Sequence, residues 1–195
     1  MRKLAISIIL AGLGLPAGAA EIRSDYTEID IAKDCATFEA GEADFASLVC
    51  PGWRGYPVLY YLGDLRESVF YGFPPSGAGH VWESFSAFNS TGPTIEWRIE
   101  TEGEREIPIA TIHRWFVRSD PDNPDEKIEV LAVEKVGQVG EADGCTVGLV
   151  MASGNAKANE TARRIADEQA RQFACGADER VLVGDGLPEF DRQEN

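Results

Sequence analysis

The sequence predicts an α+β domain: a curved, mostly antiparallel β-sheet of consecutive hairpins with one C-terminal α-helix packed on it. Three observations carry that prediction. Short runs rich in Val, Ile, Tyr, Phe and Trp are separated by turn residues through most of the 195-residue chain. One segment, Asn155 to about Phe173, places its apolar residues at helical spacing. Strands first and helix last argues against an alternating parallel architecture.

The elements follow in order. Arg2 and Lys3 precede an apolar run, Leu4 to Leu15, and then Pro16-Ala17-Gly18-Ala19-Ala20. A basic start, a short hydrophobic stretch and small residues are the signature of a secretory signal over 1–20. The run is too short to span a bilayer. Cys35 is the first cysteine after it, so a lipid anchor on a mature N-terminal cysteine is not expected. The exported form is expected to start near Glu21, with one globular domain over 21–183 and no further membrane insertion.

Tyr26 to Ile31 alternates and reads as a first strand, whereas Asp34 to Asp44 is polar and acidic and reads as a loop tied by Cys35. Ser47 to Cys50 is short and apolar, stopped by Pro51-Gly52. Pro57 to Leu62 and Glu67 to Phe73 flank Gly63-Asp64 as a hairpin. In His80 to Asn89, the spacing of Val81, Phe85 and Phe88 suggests a helical turn. Thr94 to Glu100 sets Ile95, Trp97 and Ile99 on one face and Glu96 and Arg98 on an outward one.

Glu106 to Arg118 is apolar on both faces and is placed centrally in the sheet, with Ile107, Ile109, His113 and Trp115 sharing one side. An acidic, proline-broken loop, Ser119 to Glu126, precedes a hairpin of Ile128–Val136 with Thr146–Ala152. Asn155 caps the expected helix. Its inward face is Ala158, Ala162, Ile165, Ala166, Ala170 and Phe173; Arg163, Arg164, Asp167, Glu168 and Arg171 face water. The tail 184–195 is acidic with Gly and Pro, and disorder is expected there.

Four cysteines in an exported chain are most simply two disulfides, and Cys35–Cys50 with Cys145–Cys175 brackets two compact units. Zinc is disfavoured, because no C-x-x-C spacing occurs and only two histidines exist. The segment Asp120 to Glu126 has oxygen ligands enough for calcium but lacks the glycine and bidentate glutamate of an EF-hand. No metal and no cofactor are expected.

Charge narrows the function classes. Eighteen basic and 33 acidic residues give −15, and loss of Arg2 and Lys3 takes this to −17. That excess argues against nucleic acid and anionic lipid as partners. It favours solubility and rapid encounter with a basic partner. Catalytic motifs are missing: no G-x-S-x-G elbow accompanies His80 or His113. His113 lies mid-strand as a structural histidine, and His80 sits in a glycine-flanked loop.

Aromatic residues crowd the stretch from Trp53 to Trp97, and Tyr60 with Tyr61, like Phe70 with Tyr71, fall on both strand parities. Either a second layer covers one set, notably the 80–89 segment, or they form an aromatic surface. Trp53, Tyr56 and Trp82 flank turns and are the candidate anchors. The resulting expectation is a non-enzymatic binding module of the cell envelope, most simply periplasmic, that binds or inhibits a basic secreted protein such as a lysozyme-like hydrolase. A small periplasmic hydrolase using His80 or His113, and a structural accessory of an envelope complex, are the alternatives.

Overall fold

The computed structural model describes residues 21–41, 44–74, 81–120, 122–141 and 143–193. The chain is mostly β, in largely antiparallel sheets, with one long helix near the C-terminus. Where the sequence predicts one sheet, however, the described residues build two larger sheets and a short two-stranded one. Strands β2 (Ala36–Ala40), β3 (Ala46–Pro51), β4 (Pro57–Gly63) and β5 (Arg66–Tyr71) form a four-stranded meander.

The larger sheet contains β1 (Glu21–Glu28), β7 (Asn89–Glu102), β8 (Arg105–Asp120), β9 (Asn123–Lys135), β10 (Thr146–Met151) and β11 (Val181–Val183), ordered β1-β7-β8-β9-β10-β11. Only β10–β11 is parallel within it. A short pair joins β6 (Trp82–Phe85) to β12 (Phe190–Gln193).

Two cores result, one on each face of the large sheet. Ile95, Trp97, Ile99, Trp115 and Val117 face Val58, Tyr60, Val69 and Tyr71 of the meander. On the other face, Ile109, Ile112, Leu131, Val133 and Val147 receive helix α2 (Ala158–Gln169). The helix buries Ala158, Ala162, Ile165 and Ala166, followed by Ala170 and Phe173, as its 3.6-residue period requires. Asn155 sits just outside it: its side chain accepts from the Lys157 amide at 3.0 Å, and Lys157 is the cap.

Both predicted disulfides are present. Cys35–Cys50 joins the end of α1 (Ile31–Asp34) to β3, with 4.2 Å between Cα atoms. Cys145–Cys175 joins the start of β10 to the turn after α2, at 5.8 Å. At Gly72 the chain leaving β5 meets the chain leaving β9: it bridges Gly137, and an added Cβ would lie 2.2 Å from the Gly137 carbonyl oxygen. Its φ of +90° suits glycine as well.

Several expectations are corrected. Asp34 to Asp44 is not all loop, because α1 ends and β2 runs within it. Trp82–Phe85 is a strand, not a helical turn, since β12 supplies its partner. Within the tail read as disordered, Phe190–Gln193 is strand, paired with β6. The 119–126 segment is a tight hairpin end, with Asp120 opposite Asn123. A bulge opposite Arg98/Ile99 makes Ile109 an extra residue, which moves it to the helix side, away from His113 and Trp115. Glu96 and Arg98 do not face water; each is 6% exposed beneath α2, whose Arg163 and Asp167 neutralise them.

Candidate binding site

The acid–base candidates come first. His80 lies outside the described residues. His113 is fully buried. Its Nε2 is 2.6 Å from the Gly92 carbonyl oxygen, which only accepts, so Nε2 carries the proton and donates. Nδ1 therefore accepts from the Tyr71 hydroxyl, also at 2.6 Å. Burial lowers the imidazole pKa to about 4, against the opposing Gly92 hydrogen bond. A neutral ring with both nitrogens engaged and no solvent access holds two sheets together; it is not placed to meet a substrate.

Carboxylates collect in the same inter-sheet layer. Glu83 accepts at Oε2 from the Thr146 amide at 2.7 Å and hydroxyl at 3.1 Å, while Oε1 lies 3.5 Å from Arg192. Glu134 is the cross-strand neighbour of Thr146. Desolvation, and then the Glu83 charge, push the Glu134 carboxyl well above the usual range. Desolvation also raises Glu83 and Glu67. Glu83 and Glu134 are 7% and 4% exposed, so neither carboxyl is open to a substrate in solvent. Asp143, Cys145 and Cys175 form a metal-sized group among the described residues, but both sulfurs are in the disulfide.

The three aromatic candidates separate into two places. Trp53 and Tyr56 lie together, with ring centroids 6.3 Å apart. The structure corrects the role of Trp53, which is only 6% exposed. Its indole donates to Asp25 at 2.9 Å, and the Arg54 guanidinium covers its ring at 4.8 Å. That hydrogen bond, with the one from Arg23, holds the Asp25 carboxyl below its ordinary range. Trp53 is thus a structural plug between β1 and the turn Trp53–Gly55.

Tyr56 is half-buried and lines a groove of about 680 Å³ with an apolar floor of Ile107, Ile109 and Val136. Arg105, Lys135 and Arg171 line its walls. Each is already engaged: Arg105 with Glu102 at 3.0 Å, Lys135 with Asp143 and the Phe173 carbonyl, and Arg171 with Glu100 and Glu102. The Tyr56 hydroxyl donates to Gln138 at 2.9 Å, and Gln138 donates to the Pro108 carbonyl at 2.8 Å. A charged ligand entering here displaces existing ion pairs.

Trp82 lies elsewhere, with aromatics of the meander. Strand β4 turns Tyr60 into the core at 1% exposure and Tyr61 to the opposite face. Phe38 meets Tyr61 edge-on at 6.4 Å. Phe45 packs over Gly63, where an added Cβ would come within 2.5 Å of its ring. Glycine there makes room for the ring, yet Phe45 remains 55% exposed and Phe38 54%. A cleft of about 230 Å³ opens between Phe45, Tyr61 and Trp82, with Glu39 in its lining.

This face was legible only in part. The double parity of Tyr60 and Tyr61 points to it, but Phe38 falls inside the Asp34 to Asp44 stretch that reads as acidic loop, and Phe45 just after it. No family model, curated protein or solved structure matches the chain.

Proposed function

We propose that the chain is an exported, disulfide-stabilised, non-enzymatic binding module that docks a basic partner on the aromatic face of its small sheet. The periplasm is the compartment we favour, and a basic secreted protein such as a lysozyme-like hydrolase is the partner class. One observation carries the reading: Phe38 and Phe45 stand more than half exposed beside Tyr61 and Trp82, on the face of the meander turned away from its core. Exposed apolar patches of this kind mark interaction surfaces. Aromatic rings supply most of the anchoring energy at such surfaces.

Charge sets the partner's sign. Glu39, Asp44 and Asp64 lie beside these rings or in the adjoining turns, within a chain of net charge −15. Two disulfides and the absence, among the described residues, of any helix long and apolar enough to cross a membrane accord with an exported module. The hydrolase alternative loses its support from His113, whose ring is sealed between the sheets. The groove beside Tyr56 favours a second reading, a small polar ligand, although the saturated ion pairs around it set that reading below the first.

A calorimetric titration with a lysozyme-type hydrolase, at low and high salt, tests the proposal. Association that weakens as salt rises, and that is lost in a Phe38→Ser/Phe45→Ser variant with an unchanged melting temperature, supports it. Association indifferent to both changes overturns it.

A further inference from the structure

We infer that the cleft between Phe45, Tyr61 and Trp82 receives a single cationic side chain, a lysine or arginine of the basic partner, with Glu39 as its counter-charge. The inference rests on the docking reading above and refines it from a face to a subsite.

Size is the first argument. At about 230 Å³ the cleft holds one long side chain and not a folded element. Chemistry is the second. Rings of Phe45, Tyr61 and Trp82 give an apolar wall along which a methylene stem can lie. Ring faces and a carboxylate together attract the charged head. Glu39 is close enough for its charge to raise the Tyr61 pKa, an effect second to desolvation. The lining holds this carboxylate but, among the described residues, no lysine or arginine.

The molecule already uses the same chemistry internally. Arg54, Arg118 and Arg180 cover the rings of Trp53, Phe88 and Phe190 at 4.8, 5.0 and 5.0 Å. Charge also decides between occupants. A second copy brings −15 against −15, and an anionic lipid surface is repelled likewise, whereas a cation is attracted.

The test uses the whole chain and three short probes: acetyl-Gly-Lys-Gly-amide, its arginine counterpart and its glutamine counterpart. Each is titrated at low salt while amide and indole NMR signals are followed. The lysine and arginine peptides are expected to shift the Trp82 indole and the amides of Glu39, Phe45 and Tyr61 saturably, and the glutamine peptide to leave them unmoved. Glu39→Gln and Phe45→Leu, each checked for an unchanged melt, should weaken the lysine peptide about threefold to tenfold.

Equal shifts with the glutamine peptide, or an unaltered affinity in Glu39→Gln, overturn the inference. Shifts that grow with protein concentration alone assign the cleft to a second copy and also overturn it. If the peptides fail while a basic protein still binds in a salt-dependent manner, the subsite falls and the docking reading stands. If both fail, both fall.

Discussion

Arg98 grips Asp167 through two parallel hydrogen bonds of 2.7 Å, tying strand β7 to helix α2. Beside it, Arg163 of the helix holds Glu96 of the strand at 2.6 and 3.1 Å. The seam between helix and sheet therefore carries alternating charges in addition to its alanine-lined apolar strip. Bidentate guanidinium–carboxylate pairs fix geometry as well as adding energy.

Asp167→Ala leaves the Arg98 guanidinium beneath the helix without its main partner. The expected loss is about 2–3 kcal/mol in a denaturant melt. Replacing both residues, as Arg98→Met with Asp167→Leu, should recover at least half of it, because no charge is then stranded. A single-variant loss below about 0.5 kcal/mol, the range of ordinary surface changes, would mean the pair does not hold the helix.

How much of this was legible follows from periodicity. The buried face of α2 was readable residue by residue, since Ala158, Ala162, Ile165 and Ala166 recur at helical spacing wherever the partner lies. Strand alternation also separated Glu96 and Arg98 from Ile95, Trp97 and Ile99. What alternation does not carry is the identity of the covering layer, and here the face away from one core lies under the helix. Strand β6 was lost for a related reason: four residues without a local partner look irregular until β12 arrives from the far end of the chain.

His113 predicts a pH signature. Its folded pKa, about 4, lies below the ordinary value of 6.5. The unfolded chain then binds more protons between these values, so stability is lost as pH falls from 6.5 toward 4. The slope is at most about 1.4 kcal/mol per pH unit. Glu67, Glu83 and Glu134 work in the opposite sense, because raised carboxyl pKa values give stability at low pH that is lost as pH rises through them. Subtracting the His113→Gln curve from the parent isolates the histidine. The difference should climb from pH 4 to 6.5 and flatten above it. A flat difference throughout would contradict the burial of a neutral ring.

Glu134→Gln isolates the opposing group. The amide copies the protonated carboxyl without its titration, so the variant should gain stability over the parent as pH rises above the ordinary carboxyl value of 4.5. Equilibrium unfolding at pH 5 and pH 9 checks this. A variant less stable than the parent at pH 9 would show that the Glu134 carboxylate is favourably held.

The β4–β5 turn offers a stabilising change. Asp64 and Leu65 both adopt positive φ, 52° and 57°, in a two-residue hairpin that ordinarily takes Asn-Gly. Leu65 is 62% exposed, so its side chain buries little in return. Leu65→Gly should add about 1 kcal/mol by relieving the left-handed strain. Loss of stability in a thermal melt would show that the leucine side chain contributes packing there.

The central claim is that the aromatic face of the small sheet, rather than the groove beside Tyr56, meets a basic partner. Hydrogen exchange on the whole chain, with and without a saturating lysozyme-type hydrolase at low salt, tests it most directly. The account predicts slowed exchange in β2, β3 and the β4–β5 turn, around Phe38, Phe45 and Tyr61, with the Gln138–Glu141 lip of the groove unchanged. Protection confined to that lip and to Arg105, or no protection at either place, would contradict it.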